Sequence, residues 1–372
     1  MKSRALARPW VIGLALARMA TDLLPGRRRA PPTDPRRILV AHHLLLGDTI
    51  MLSPLLAKLR ANHPGARIAM TVPRAFVPLY VARPWGVEAL PFSPRDATSA
   101  RALFDEGPFD LAVVPGDNRQ GWLAAAMGAR HIVAHAGDKP ASKSWLIDDE
   151  RAYGGPGAWG DLVADLVAGH EPAPFARGDW PAPAAAPDER PRSPYAVLHV
   201  GASTVLKQWA PDRWAALAEA LAKRGLLVVW SAGRGEEPIV GRCDPAHRHA
   251  SVAGRLDLAQ LRHLLAGASL LVAPDTGVAH LGRTTFTPTV TLFGPGSAVI
   301  CGPGRFWRDT PGRAVTIDPF PCRDQAILFR RELAWVRRCG RSTSECAGPK
   351  CMEAIGVDAV LAAADDLLAP KP

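Results

Sequence analysis

Arg37-Ile38-Leu39-Val40-Ala41-His42, followed by Leu44-Leu45-Leu46-Gly47-Asp48, sets the reading of the whole chain. A short apolar run with charge before it and a loop after it is what a strand buried on both faces of a parallel sheet requires. Leucines at 52, 55, 56 and 59 then recur at helical spacing, and Asn62-His63-Pro64-Gly65 closes that helix with turn formers. Ala66–Val72 and Phe109–Val114 repeat the strand pattern, and Trp122–Met127 reads as helix. Alternating strands and helices predict an α/β fold with a parallel sheet covered on both faces.

Further along, Pro172-Ala173-Pro174 through Pro191-Arg192-Ser193-Pro194 interrupts the rhythm and reads as a linker. The rhythm then restarts with strand Tyr195–Val200, helix Asp212–Arg224, strand Leu226–Ser231, helix Leu258–Leu265, strand Ser269–Ala273, a helix from Thr276 and strand Thr289–Phe293. The expected organisation is therefore a basic amphipathic extension (1–35), a first Rossmann-like domain (36–171), a Pro/Ala-rich linker (172–194), a second Rossmann-like domain (195–350) and a C-terminal helix and tail (351–372). Ligands of such sheets bind outside the carboxyl ends of the strands, which places the expected site in a cleft across which the two domains face each other.

The bulk properties agree. The chain has 372 residues, enough for two cores, and its 48% hydrophobic and 22% charged content is that of a globular protein. No apolar run reaches the roughly 18–20 residues of a membrane-spanning helix. The net charge is +10, but residues 1–37 hold nine basic and two acidic residues, so about +3 is left for the remainder. A nucleic-acid partner is thereby disfavoured, because the surplus sits in a tail and no aromatic-basic interleaving marks a stacking platform. Arg18 and Asp22 interrupt the apolar stretch that begins at Trp10, so the N-terminus reads as belonging to a cytoplasmic protein rather than a secreted one. Trp10, Val11, Leu14, Met19, Leu23 and Leu24 fit the apolar side of a helix lying on an anionic membrane surface, and equally a helix packed on the protein.

Three strand-to-helix junctions gather the polar residues. At the first, Asp48 suits either a helix-start carboxylate or an acceptor for a substrate proton. The second, His199 through Trp209, offers Gly201, Ser203, Thr204 and Lys207 as a phosphate cradle, with a solvated loop lysine as the plainer alternative. Only eight lysines stand beside 37 arginines, which gives Lys207 some weight as a compact charge. At the third, Asp275, Thr276 and Gly277 open a helix whose N–H groups suit an anion or an ordinary cap, and His280 is either a ligand contact or a buried imidazole. Gly233-Arg234-Gly235 and Gly294-Pro295-Gly296 both lack the third glycine of a dinucleotide fingerprint.

In this order and spacing, the segments resemble glycosyltransferase family 9, the ADP-heptose:lipopolysaccharide heptosyltransferases, over residues 36–361. The resemblance rests on Leu46-Gly47-Asp48 and Ser53-Pro54-Leu55; on Leu198 through Ser203 with Lys207-Gln208-Trp209 and Arg213-Trp214; on Gly233-Arg234-Gly235-Glu236; and on Asp275 through Leu281 with Pro288 through Pro295. It implies a GT-B fold and inverting transfer without a metal ion or other cofactor. Asp48 matches the general base; Ser203, Thr204 and Lys207 match diphosphate-holding positions. Glu236 matches a carboxylate near the ribose, and Asp275, Thr276, Gly277 and His280 match the second-domain signature. The implied partners are a nucleotide-diphosphate sugar donor, ADP-heptose, and a lipid-linked glycan acceptor such as the lipopolysaccharide core, at the inner face of the cytoplasmic membrane. A nucleotide-sugar epimerase of the same shape and a catalytically idle paralogue are the alternatives. This chain departs from the family pattern at Gly296-Ser297, at Gly282-Arg283-Thr284-Thr285 and at His42-His43-Leu44-Leu45.

Of six cysteines, Cys322, Cys339, Cys346 and Cys351 are spaced by 17, 7 and 5. Without a Cys-x-x-Cys pair they are weak candidates for a metal site, against disulfides or free thiols.

Overall fold

The computed structural model describes residues 9, 11–17, 30–183 and 190–369. It divides into two compact units: Met1–Ala173 with Ile327–Ala334, and Pro174–Ala326 with Trp335–Pro372.

The first unit is built on a six-stranded sheet of β1 (Arg37–Val40), β2 (Arg67–Val72), β3 (Val87–Pro91), β4 (Phe109–Val114), β5 (Ala129–His135) and β6 (Asp149–Arg151). All neighbours are parallel and the order is β3-β2-β1-β4-β5-β6. Ile38, Leu39 and Val40 are fully buried, as a central strand covered on both faces demands. Helices α2 (Leu46–Met51) and α3 (Ser53–Asn62) follow β1, with α4 (Ala97–Phe104), α5 (Gln120–Ala126) and α6 (Trp159–Ala164) later in the unit. The second unit repeats the plan with β7 (Tyr195–His199), β8 (Leu227–Ser231), β9 (Ala250–Ser251), β10 (Leu270–Pro274), β11 (Thr289–Phe293) and β12 (Gly312–Thr316), in the order β12-β11-β10-β7-β8-β9. Its helices are α7 (Pro211–Lys223), α8 (Glu237–Cys243), α9 (Leu258–Ala266), α10 (Gly277–Arg283), α11 (Lys350–Glu353) and α12 (Val357–Leu368). Counted from its own first strand, each sheet runs 3-2-1-4-5-6, so each reverses direction once, between β1 and β4 and between β7 and β10. Crevices for ligands form outside the strand ends at such reversals.

Three stretches depart from the sequence reading. The expected linker is not merely a tether: Phe175 and Trp180 are buried in the second unit, with Phe175 against Phe286 and Trp307 and its N–H on the Phe306 carbonyl. Residues 11–17 form a helix, α1, whose Val11, Leu14 and Ala15 pack on Phe104, Trp122, Ala125, Ala126 and Leu146. Val11 and Leu14, expected on a lipid-facing side, thus face protein, while Ile12 and Leu16 stay exposed. The parts of that expectation carried by Trp10, Met19, Leu23 and Leu24 lie outside the described residues.

The third departure is Ile327–Ala334, which sequence order puts in the second domain and which packs with the first unit. Here β13 (Ile327–Leu328) and β14 (Arg331–Glu332) pair antiparallel through a two-residue turn. The anchor is Arg331, 2% exposed. Its Nε donates to the Ala136 carbonyl at 2.9 Å, Nη1 to the Gly116 carbonyl at 3.0 Å, and Nη2 to Asn118 Oδ1 at 2.6 Å and the His135 carbonyl at 2.9 Å. Buried Asp138, 3.8 Å from Arg331 and 2.8 Å from Lys143, receives charge from both. Arg331→Met leaves three strand-end carbonyls and Asp138 undercompensated, and urea unfolding should show a loss of about 3–5 kcal/mol. Arg331→Lys should recover little of it, because an ammonium cannot reproduce the planar fork.

Candidate active site

In the second unit, the loop after β7 and the end of β10 meet across the strand-order reversal. A 3-10 turn, Val205–Lys207, is capped by Thr204, whose hydroxyl accepts from the Leu206 N–H. That turn aims Lys207 at Asp275: Nζ donates to carboxylate Oδ2 at 2.8 Å and to the Asp275 carbonyl at 2.9 Å. Lys207 remains 25% exposed and Asp275 8%, so the ammonium still presents protons outward while its carboxylate partner is covered. Asp275 leads into Thr276, the N-cap of α10, which makes no side-chain cap bond and whose buried Oγ1 has no partner. This junction therefore keeps an unused hydroxyl and an uncapped helix start beside a fixed cation. Ser203 is exposed on the same loop as Lys207.

Glu236 ties a second pair of loops. Its Oε1 accepts from the Ala202 N–H at 3.1 Å and Oε2 from the Gly233 N–H at 2.7 Å, joining the loops after β7 and β8. Gly201 is required by that closeness, since a Cβ there would lie 2.0 Å from Glu236 Oε2. The carboxylate that the resemblance places near the ribose thereby also staples the loop that carries Ser203, Thr204 and Lys207. Trp209, Arg213 and Trp214 are structural: Trp209 Nε1 and an Arg213 guanidinium N–H both donate to the Ile355 carbonyl, and the two indoles meet edge to face at 5.1 Å.

His280 is buried, and burial followed by the neighbouring Arg283 pushes its pKa down to about 3. The imidazole is thus neutral, with Nδ1 3.2 Å from Arg283 Nη1 and placed to accept from it. Arg283 also donates to the carbonyls of Cys301 and Gly302. It was not singled out by function, although it stands in a segment where the family pattern is broken. His42, likewise missed, lies two residues past the end of β1: its Nδ1 accepts from the Leu44 N–H at 3.2 Å, leaving Nε2–H buried without a partner.

Asp48 belongs to the first unit, half-buried in the first turn of α2, which has no side-chain cap from Leu45. It therefore sits outside the carboxyl end of β1, beside that sheet's own reversal point. Of the four C-terminal cysteines, Cys351 lies near enough to Cys322 for that thiol, after burial, to raise its pKa, and Arg341 donates to the Cys322 carbonyl at 2.7 Å. Cys346 Sγ donates to the Gly348 carbonyl, Arg341 reaches Cys339 Sγ at 3.6 Å, and all six cysteines are free thiols. Among the described residues, the group of three or more candidate ligands within 4.8 Å is Asp275, His280 and Cys301. Lys207 and Arg283 already bring positive charge to that group, which opposes entry of a cation there.

The model of the glycosyltransferase family 9 (heptosyltransferase) domain matches residues 164–306. Lipopolysaccharide heptosyltransferase 1 of Pseudomonas aeruginosa is 28% identical over 284 residues, covering 70% of this chain and 79% of that protein. The structure of Escherichia coli ADP-heptose lipopolysaccharide heptosyltransferase II superposes with a TM-score of 0.67 at 19% identity, covering 90% and 98% of the two chains. The E. coli heptosyltransferase WaaC with ADP gives 0.62 at 18% identity over 75% and 93%. At these identities the structures establish the shared fold, that of the GT-B glycosyltransferases.

The buried histidines set a pH dependence. Burial pushes His42 and His280 to about 3 and His199 to about 4, from an ordinary 6.5. Below pH 6.5 the unfolded chain takes up protons that the native state refuses. Stability is therefore full above that value and falls as pH drops toward the native values, by up to about 1.4 kcal/mol per pH unit for each histidine. Melting temperatures should be flat above neutrality and decline progressively from pH 6.5 to 4. His199→Asn should make that decline shallower.

Proposed function

We propose that the chain is a member of glycosyltransferase family 9 and that it transfers heptose from ADP-heptose to a lipopolysaccharide core acceptor by a single inverting displacement. The observation that carries this reading is the Lys207–Asp275 pair at the reversal of the second sheet, next to an uncapped helix start and the unpartnered Thr276 hydroxyl. Heptosyltransferase names among the relatives support the sugar, and the neighbour with bound ADP supports the nucleotide. The epimerase and idle-paralogue alternatives are not favoured by the family match.

In this reading Asp48 accepts the proton of the acceptor hydroxyl as its oxygen attacks the anomeric carbon. The bond from that carbon to the diphosphate oxygen breaks, and the nucleoside diphosphate leaves. Charge gathers on the leaving group, where the Lys207 ammonium and the α10 start stabilise it without a metal ion. Asp275 holds Lys207 in place from a covered position, and Glu236 keeps its loop in register. Neutral His280 adds no second positive charge of its own.

Asp48→Asn should lower kcat by 10²-fold or more, on the order expected for loss of a general base, with donor affinity by calorimetry within twofold of the parent. Lys207→Ala should weaken ADP binding about tenfold or more. Transfer by Asp48→Asn at the parent rate removes the base assignment.

A peripheral position on an anionic membrane belongs to the same proposal. It is supported by the exposed Ile12 and Leu16 on α1, by Trp145 (72% exposed) beside Leu146 under that helix, and by the basic surplus of residues 1–37. The protein should pellet with phosphatidylglycerol vesicles and far less with phosphatidylcholine alone. Ile12→Glu/Leu16→Glu should abolish the difference while transfer to a lipid-free acceptor continues.

A further inference from the structure

The hairpin Ile327–Ala334 lies over the functional edge of the first unit, and its tip is held in a strained shape. Phe329 and Arg330 occupy the turn with φ of 45° and 64°. Two consecutive left-handed residues are the signature of a type I′ hairpin turn, which Asn-Gly fills without cost. Here a bulky aromatic and an arginine fill it instead. Such strain persists only where the surroundings enforce it, and it concentrates at ligand sites.

The surroundings are specific. Arg331 bolts the hairpin to the carbonyls that follow β4 and β5. Phe329 lies 4.8 Å from Trp159, ring to ring, and covers Gly116 together with Leu44: a Cβ at Gly116 would meet Leu44 Cδ2 at 2.9 Å and Phe329 Cδ1 at 3.6 Å. Leu44 follows β1 and Gly116 follows β4, so the tip sits over the reversal of the first sheet, four residues before Asp48 along the β1 loop. A ligand of this sheet binds at that place. Arg330 is exposed at the tip, with no salt bridge or hydrogen bond among the described residues, whereas neighbouring Arg331 and Glu332 are both engaged.

We propose that the Phe329-Arg330 tip is an acceptor-binding element. Phe329 forms an apolar wall against which the acceptor sugar lies, and Arg330 takes an anionic group of the acceptor, a carboxylate or a phosphate. The inference rests on the transferase reading and extends it to acceptor selection. It also accounts for the departure of these eight residues from the unit in which the neighbouring sequence folds.

The test uses a substitution that improves the turn while removing the proposed contacts. Phe329→Asn/Arg330→Gly supplies the preferred turn residues, which offsets the packing lost on Trp159, so the variant should stay folded with a melting temperature within a few degrees of the parent's. The acceptor KM should rise about tenfold or more, with ADP affinity by calorimetry within twofold. Arg330→Lys should retain part of the acceptor affinity and Arg330→Gln little. Two treated acceptors, one with its carboxyl groups esterified and one dephosphorylated, identify the anion: the one that Arg330 reads should lose affinity with the parent enzyme and lose nothing further with Arg330→Gln. An unchanged acceptor KM in the double variant overturns the proposal while leaving transfer intact, as does a loss of ADP affinity in step with stability. A parent enzyme unable to transfer to any acceptor defeats the transferase reading and this proposal with it.

Discussion

A parallel sheet wound outward in both directions from its first strand must leave one gap where the loops above it part, and both units of this protein are organised by that gap. In the second unit, Lys207 and Asp275 bridge it, an ammonium held by a covered carboxylate and a carbonyl. In the first, Leu44, Gly116 and Phe329 close over it. Everything chemical here depends on which side chains the strand order delivers to those two places, because only there do loops from strands on opposite sides of the reversal come within reach.

The interactions around the gaps are mostly devices for holding backbone. Glu236 binds two N–H groups of separate loops, Arg283 two carbonyls, and Arg331 the carbonyls after two strands. Each is a charged group made rigid by multiple bonds, which limits the reorganisation left for a bound ligand to impose. The buried imidazoles fit the same logic. Kept neutral by burial, His42, His199 and His280 supply shape and hydrogen bonding without disturbing the charges that matter.

Much of this was legible from residue order. Apolar runs at 37–42, 66–72, 109–114, 195–200, 226–231, 269–273 and 289–293 each correspond to a strand with ends within two residues, because a doubly covered strand needs continuous apolar sequence whatever its neighbours are. The edge strands β3, β6, β9 and β12 went unread, being short or carrying charge on a partly solvated side, and so did interior β5, whose apolar run is interrupted by Arg130 and His131. The hairpin was invisible for a different reason. Its turn is Phe-Arg where a turn signature needs Asn-Gly or Asp-Gly, so the local pattern contradicts the structure that tertiary contacts enforce. Val11 and Leu14 were legible as an apolar face, but a face does not name what covers it.

The sequence by itself determined the class: two parallel α/β units, the positions of their principal strands, and the loops where chemistry is carried. Those are consequences of periodicity and apolar runs, which act over a few residues. Tertiary structure alone decided that Lys207 closes on a carboxylate 68 residues away, that Glu236 joins the loops after β7 and β8, and that a hairpin reaches back 215 residues to the Gly116 carbonyl. Such contacts follow from strand order and from multidentate charged groups finding backbone to bind, and neither is written in any local stretch of the chain.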